Sequence, residues 1–498
     1  MTGSCPTDQE YLVSYGRLDD CCVELWEPKT TAELAECLIE AGRRGVRVAF
    51  RASGLSLHDQ SLGHDGEVVI SMAAFDHIEP VDVEAQQVTV GAAATWGAVV
   101  DATIVHDLVP YVVPTSESIT CGGSLATDGI SRYSPSYGSE SRHVAAFELL
   151  TVGAREPRWI ERPDPDDHES EDAVLFRAVI GGFGYLGVIT RIRYDLLSVA
   201  EVGAPEMHNQ KVRVTTELWV QGSFRELIQK QIDLLVEPIE EDLEKWEMPK
   251  KADPIDYPSV YTVAFPHDGD GRGAVYRSVY SRGDVGDPYI IYRPHWWVRK
   301  WMGLALSQHW LRKVVSASVW TSMRFDEGKP FVNDLKDYMF FMDGEVEAKR
   351  WMESGGRLVP LIQQTFVVHY LKAEAFLREI PPIVKGIEPT LFEFLFMPRD
   401  HILMSASYDT PGFAITLAFQ DVQSEARQKQ VIAAMKELTH VLASPPYEGR
   451  LHFTKNVYAD DEDLRTMFRD QAARFLELKR RYDPQGVLHN PFFERIFP

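Results

Sequence analysis

An α+β fold in two lobes is predicted for this chain, on three observations. Its 498 residues exceed what a single hydrophobic core ordinarily organises, so at least two lobes are expected. Up to about residue 199, short apolar runs of strand length alternate with helical stretches and glycine-rich turns. Beyond that point, strand-like alternation recurs between amphipathic helical stretches, the pattern of an antiparallel sheet backed by helices.

The elements follow in order. Residues 29–45 begin Lys29-Thr-Thr-Ala-Glu-Leu34, carry apolar positions at helical spacing and stop at Gly42 and Gly45, which predicts a first helix. Strands are predicted at 46–50, 67–71 and 86–91, and Gly91 leads into a second helical stretch near 96–107. Residues 161–172 form a proline-broken acidic run, read as a solvated surface loop. Residues 211–221 alternate polar and apolar side chains, a helical stretch follows around 222–236, and similar alternation returns at 257–264, 363–369 and 412–419. Amphipathic helices are predicted at 373–384 and 425–442. Leu391-Phe-Glu-Phe-Leu-Phe396 reads as an aromatic strand holding one charge.

Composition narrows the function classes. An apolar content of 45% and a charged content of 25% are those of an ordinary globular chain. The formal charge of −23 argues against a general nucleic-acid binder, which needs a basic surface to release counterions. Five cysteines, an odd number in a large chain, suggest reduced thiols, and no Cys/His cluster has metal-ligand spacing, so no metal is expected. The N-terminus lacks the basic start and apolar run of a signal peptide, and no segment approaches a membrane span; a soluble cytoplasmic enzyme is expected. One stretch departs from the rest. Residues 288–325 contain no acidic residue but six Lys/Arg and five of the eleven tryptophans (Trp296, Trp297, Trp301, Trp310, Trp320). That composition suits first an aromatic-rich helix pair packed on the cap, with a surface facing lipid or an apolar substrate as the alternative.

The most specific motif follows the strand at 46–50. Arg51-Ala-Ser-Gly-Leu-Ser-Leu-His-Asp-Gln60 opens a strand into small residues and hydroxyls, exposing successive backbone N–H groups that can take phosphate oxygens. Further stretches occur at Pro114-Thr-Ser-Glu-Ser-Ile-Thr-Cys-Gly-Gly123, at Leu175-Phe-Arg-Ala-Val-Ile-Gly-Gly-Phe-Gly-Tyr-Leu-Gly-Val-Ile-Thr190 and at Tyr482-Asp-Pro-Gln-Gly-Val-Leu-His-Asn-Pro-Phe-Phe493. In this order they resemble the flavin-contacting segments of the vanillyl-alcohol-oxidase family of FAD flavoproteins. The resemblance implies a PCMH-type FAD-binding domain over 15–199, an antiparallel-sheet cap that selects substrate over 200–445, and a segment, 446–498, returning to the flavin. It implies FAD contacts from Arg51, Ala52, Ser53, Gly54, Leu55, Ser56, Asp59 and Gln60 in the first loop. Thr115, Thr120, Cys121, Gly122 and Gly123 supply the second segment, with Thr127, Gly129 and Ile130 after it. Gly187, Ile189, His452 and Asn490 complete the implied set. Leu55 stands where many members carry a histidine bonded to the flavin, so the FAD is expected to be non-covalent; His58 and Cys121 are poor substitutes.

The chemistry implied is oxidation of a C–H bond over the flavin, which asks the protein for a cation near the ring and a polar group for the substrate hydroxyl. Gly449-Arg-Leu-His-Phe-Thr-Lys455 is similar to lysine motifs of the sugar- and polyol-oxidising branch and of the decaprenylphosphoryl-ribose oxidases, and so nominates Lys455. In a regular strand His452 would face the opposite side from Lys455. Glu393, a lone charge in an aromatic strand, is costly without a partner, and Lys455 is the candidate; an edge-strand carboxylate facing water is the other reading. Gln363, by position, matches a family glutamine presented to substrate, and Gln364 must then face away. Residues 128–138 depart from the oxidases and resemble the Δ24-sterol reductases. The expected activity is oxidation of an alcohol on a sugar, polyol or lipid-linked glycosyl substrate. A C=C reductase using NAD(P)H and a flavin-binding scaffold without turnover remain as alternatives. Oligomeric state and electron acceptor stay open.

Overall fold

In the computed structural model, which describes residues 5–199, 212–236, 259–265, 271–282, 320–321, 323–356, 358–420 and 422–498, the first lobe is organised around the helix Thr31–Arg44. Thr30 accepts the Glu33 N–H at its start, Gly45 takes a positive φ of 67° at its end, and Leu34, Ala35, Leu38 and Ala41 form its buried stripe. That stripe packs near a four-stranded sheet in the order Glu10–Val13, Asp20–Trp26, Val68–Ser71, Val48–Arg51, of which the last three run parallel. A second sheet orders Gln87–Gly91, Val188–Ser198, Val144–Leu150 and Arg158–Glu161, with Leu108–Pro110 also paired to the long strand Val188–Ser198. The predicted second helix is Trp96–Ile104, and the acidic run bridges Arg158–Glu161 to the helix Glu171–Val179.

The second lobe is an eight-stranded antiparallel sheet. Its order is Phe331–Asp334, Val212–Gln221, Arg272–Arg282, Ser259–Phe265, Leu391–Met397, Gly412–Phe419, Ile362–His369 and Arg450–His452. Helices Phe224–Val236, Ala373–Ile383 and Glu425–Ala443 back one face. Gln231 on the first of them donates to the Thr262 hydroxyl (2.5 Å) and the Phe394 carbonyl (2.9 Å) and accepts the Phe396 N–H, tying that helix to the strand beneath. With the two lobes, the α+β expectation is met.

Arg450–His452 still pairs with Ile362–His369, so a strand of the large sheet lies within 446–498. After the helix Asp461–Tyr482 the chain rejoins the first lobe, where Val48 N–H donates to the Val487 carbonyl (2.7 Å) and His489 N–H to the Val48 carbonyl (3.1 Å). One cysteine expectation needs correction: Cys5 and Cys22 form a disulfide, while Cys21, Cys37 and Cys121 are free. An odd count is satisfied as well by one bridge and three thiols as by five thiols, and spatial proximity decides between them. No helix among the described residues is long and apolar enough to cross a membrane. Most of the tryptophan-rich stretch, 288–319, lies outside the described residues; Trp320 sits edge-on to Phe265 and beneath the Arg272 guanidinium.

Candidate active site

Between the two lobes lies a cavity of about 300 Å³. Its floor begins where the strand Val48–Arg51 opens into residues 52–57. Gly54 turns this loop at φ 69°, and a Cβ there would come within 2.5 Å of the Arg51 guanidinium. That guanidinium is committed to the Ser61 hydroxyl (3.2 Å) and the Val13 carbonyl (3.0 Å), which holds the loop's base. The backbone N–H groups of Ser53, Gly54, Leu55 and Ser56 make no hydrogen bond to any described residue, so the loop presents a run of open donors along the cavity wall. Such a concavity suits phosphate oxygens.

The second wall is the segment from Thr115 to Ile130. Gly122 N–H donates to the Ala92 carbonyl (2.7 Å), and a Cβ on Gly122 would meet the Ala92 Cβ at 2.7 Å, so only glycine permits this approach. Thr115, Thr120, Gly123, Thr127, Gly129 and Ile130 line the cavity, as do Gly187 and Ile189 from the glycine-rich entry to the strand Val188–Ser198. Arg51, Ala52, Ser53, Gly54, Leu55, Ser56 and Gln60 line it from the first loop.

The roof is the free face of the large sheet. Side-chain alternation along Leu391–Met397 turns Leu391, Glu393 and Leu395 to the cavity and Phe392, Phe394 and Phe396 into the core beneath the helices. On the neighbouring strands Gln363, Thr365, Ala414 and Thr416 also face the cavity. Gln364 faces away, donating to Thr439 (2.8 Å) and accepting the Tyr458 N–H (2.7 Å). Gln363 is held at its backbone by Asn456, which returns a bond in each direction at 2.8 and 2.9 Å.

Lys455 reaches the same cavity from a turn, not from a strand: Arg450–His452 ends three residues earlier. The alternation argument that set His452 opposite Lys455 therefore has no strand to act on. Gln60 fixes the turn by donating to the Lys455 carbonyl (3.0 Å) while accepting the His58 N–H (2.9 Å), so the floor loop and the lysine are joined directly. Burial pulls the Lys455 ammonium below its ordinary pKa, and Glu393 and Glu345 oppose that pull. Glu393 lies on a central strand, not an edge, between Val263 and Thr416. Burial raises its carboxyl, and Arg132 and Lys455 partly restore the charge. No ion pair joins Glu393 to Lys455 at contact distance, so the two charges act on each other only through space.

Four residues of the implied FAD set do not line the cavity. Asp59 starts the turn Asp59–Ser61 and points away from it, bound to Arg495 (2.8 Å) and beside His58 (2.9 Å). Burial works against the Asp59 charge, but His58 and Arg495 outweigh it and hold the carboxyl at about 2. Cys121 is buried in the first-lobe core, and burial pushes its thiol well above the usual range. His452 is buried behind the lysine turn, accepting the Thr454 N–H (3.4 Å), and burial with the Lys455 charge lowers it to about 4. Asn490 is a clamp behind the loop. Its amide donates to the carbonyls of Asp59, Gln60 and Leu62 (3.3, 3.0 and 3.1 Å) and accepts from the Tyr185 hydroxyl (2.7 Å) and the Phe493 N–H (3.0 Å). Asn490→Leu strands several buried groups at about 1–3 kcal/mol each, so a clear fall in melting temperature and a loss of bound FAD are expected in thermal unfolding and flavin-content assays. An unchanged melt with full flavin content would deny the clamp.

Two charged residues escaped the sequence reading. Arg132 lines the cavity two positions after Ile130; a lone cation inside Ser131-Arg-Tyr-Ser-Pro-Ser-Tyr137 was the available signal. Glu345, on the helix Asp343–Ser354, is raised to about 7 by burial, against the pull of Gln420, Lys455 and Lys349. Nothing in the local sequence distinguishes it from an ordinary charged helix start.

Residues 25–155 match the family described as FAD binding domain, and residues 299–496 match the family described as D-arabinono-1,4-lactone oxidase. Among curated relatives, the chain is 30% identical over 206 residues to an uncharacterized oxidoreductase of the fasciation locus of Rhodococcoides fascians, covering 40% of this chain and 44% of the relative. It is 28% identical over 192 residues to decaprenylphosphoryl-beta-D-ribose oxidase of Mycolicibacterium smegmatis (38% and 40%) and 30% over 178 residues to cytokinin dehydrogenase 2 of Oryza sativa (34% and 30%). The matched regions thus span less than half the length of these relatives.

Proposed function

The chain belongs to the FAD-dependent oxidoreductases built on a PCMH-type FAD-binding domain, and from that premise we propose that it oxidises an alcohol group of a sugar, polyol or lipid-linked glycosyl substrate. The observation that carries this reading is the placement of Glu393 and Lys455 on one cavity whose floor is a loop of open backbone donors. Residues 53–56 would hold the FAD pyrophosphate, and the glycines at 122 and 123 leave room for the flavin along the second wall. When bound, FAD supplies a two-electron acceptor for the hydride leaving the alcohol carbon.

The chain's own contribution is acid–base and electrostatic. Glu393 in its carboxylate form accepts the hydroxyl proton at its carboxyl oxygen as the C–H bond breaks, and its raised pKa makes it a stronger base than an exposed glutamate. Lys455 would place positive charge near the bound ring, and Glu393 and Glu345 oppose the lowering of its pKa by burial. Gln363 and Thr416 offer hydrogen bonds that orient the substrate on the roof. The sheet and the helix Asp343–Ser354 close the cavity, the latter by Asp343 accepting from the Ser116 hydroxyl (2.6 Å) and by Met342 N–H donating to the Thr115 carbonyl (3.1 Å).

Anaerobic stopped-flow mixing of holoenzyme tests the reading. Bleaching of the flavin by a sugar alcohol or glycosyl phosphate supports it; bleaching only by NAD(P)H, or only by a cytokinin, replaces it with a reductase or an amine oxidation. The FAD is expected to leave with acid or heat, because Leu55 carries no nucleophile and His58 and Cys121 do not face the cavity. Flavin that stays with the precipitated protein would reverse that.

A further inference from the structure

We propose that the substrate carries an oxyanion, a phosphate or a carboxylate, and that Arg132 binds it at the aromatic end of the cavity; this rests on the reading of that cavity as the substrate site. Arg132 is set in place from both lobes. Its own carbonyl accepts the Ser259 hydroxyl (2.9 Å), and Ser259 in turn is 2.6 Å from the Tyr338 hydroxyl. Its guanidinium carbon lies 3.2 Å from the Phe341 ring centre, 4.0 Å from that of Tyr261 and 5.8 Å from that of Tyr338. Tyr261 is stacked on Tyr276 at 4.8 Å, which stiffens the platform.

Aromatic faces stabilise a guanidinium through its π surface and consume none of its N–H groups. Arg132 donates to no described residue and forms no ion pair with one, and its Nε is buried without a hydrogen-bond partner. The guanidinium is therefore held at a cavity wall with its faces occupied and its N–H groups unspent on any described residue. A partly desolvated cation of that kind is costly until an anion meets it, and the fork geometry matches the two oxygens of a phosphate or carboxylate. Glu393 feels the Arg132 charge yet does not neutralise it by contact. The arrangement orients a substrate at two points: its anion at Arg132, and its hydroxyl between Glu393 and Lys455. A neutral polyol would satisfy only the second.

The test is a binding titration on holoenzyme, read by the shift in flavin visible absorbance, with inorganic phosphate, D-gluconate and uncharged ribitol as probes. Phosphate and gluconate are expected to bind the wild type, and Arg132→Met to weaken both at least about tenfold, which is about 1.4 kcal/mol. Ribitol affinity and FAD content should stay unchanged. A preference for phosphate over gluconate points to a phosphorylated substrate, and the reverse to a sugar acid. The inference is overturned if neither anion binds, if both bind Arg132→Met as they bind the wild type, or if the variant loses FAD instead of anion affinity. Should Arg132→Met fail to fold, Arg132→Lys and the wild type decide: ribose 5-phosphate must bind the wild type more tightly than ribose, and that preference must shrink in Arg132→Lys. Binding does not require turnover. An enzyme that takes these anions through Arg132 but is bleached by no alcohol would thus refute the alcohol reading alone.

Discussion

Lys455→Met is expected to slow flavin reduction about a hundredfold or more, roughly 3 kcal/mol of barrier, while leaving FAD bound. Methionine keeps most of the stem volume and removes the charge. At close range and an intermediate effective dielectric, a cation beside a developing anion contributes on the order of 4 kcal/mol, and water or backbone N–H groups replace part of it. The lysine is a strong candidate for that role because Gln60 holds its turn by donating to the Phe453 and Lys455 carbonyls (3.4 and 3.0 Å) and the Asn456–Gln363 pair holds the next residue. FAD retention is expected because the open donors of residues 53–56 do not involve Lys455. Single-turnover stopped-flow reduction and a flavin-to-protein ratio check both halves. A variant that loses FAD but reduces it normally once reconstituted would make Lys455 a binding residue; wild-type behaviour in both assays would remove it from the site.

Glu393→Gln is expected to lower the reduction rate by about a hundred- to a thousandfold and to flatten its acid limb. The sign follows from burial. A base acts only when ionised, and burial raises the Glu393 pKa, so the wild-type rate should climb with pH through a point above the ordinary carboxylate range. Glu345 is also raised, to about 7, and its ionisation strengthens the support of Lys455. Stability runs the other way. A carboxyl whose pKa is raised by folding contributes stability that is complete below its unfolded pKa and is lost as pH rises through the folded value. For Glu345 that loss falls between the ordinary carboxyl range and about pH 7. Glu393→Gln removes one such ionisation, so its melting temperature at pH 8 should equal or exceed that of the wild type. A slow variant with a depressed melt would indicate a packing defect, and a variant with an unaltered pH profile would assign the proton to another group.

The parts of the site legible in the sequence are those set by local stereochemistry. Gly54 and Gly122 stand where a Cβ would strike neighbouring atoms, and the small residues around them announced the loop. Strict alternation separated Gln363 from Gln364 and set Glu393 among buried phenylalanines. Neighbouring positions within a motif proved less informative. Asp59 and Cys121 adjoin cavity residues in sequence, but a tight turn and a short helix rotate their side chains into an ion pair and into the core. His452 and Lys455 were compared as if on one strand, and the strand ends at His452.

By itself the sequence determined the α+β class, the positions of most helices and strands, and the glycine-rich loops that fit FAD, because each rests on backbone preferences and side-chain periods a few residues long. Only the tertiary structure decided which charges share a space. Arg132, Glu393 and Lys455 come from a loop, a strand and a turn far apart in the chain and line one cavity, while Glu345, on a helix, acts on Lys455; the charges on Arg132, Lys455 and Glu345 reach Glu393 or Lys455 only because folding brings them near. Coulomb energy and desolvation depend on separation and burial in space, and neither quantity is written in the order of residues.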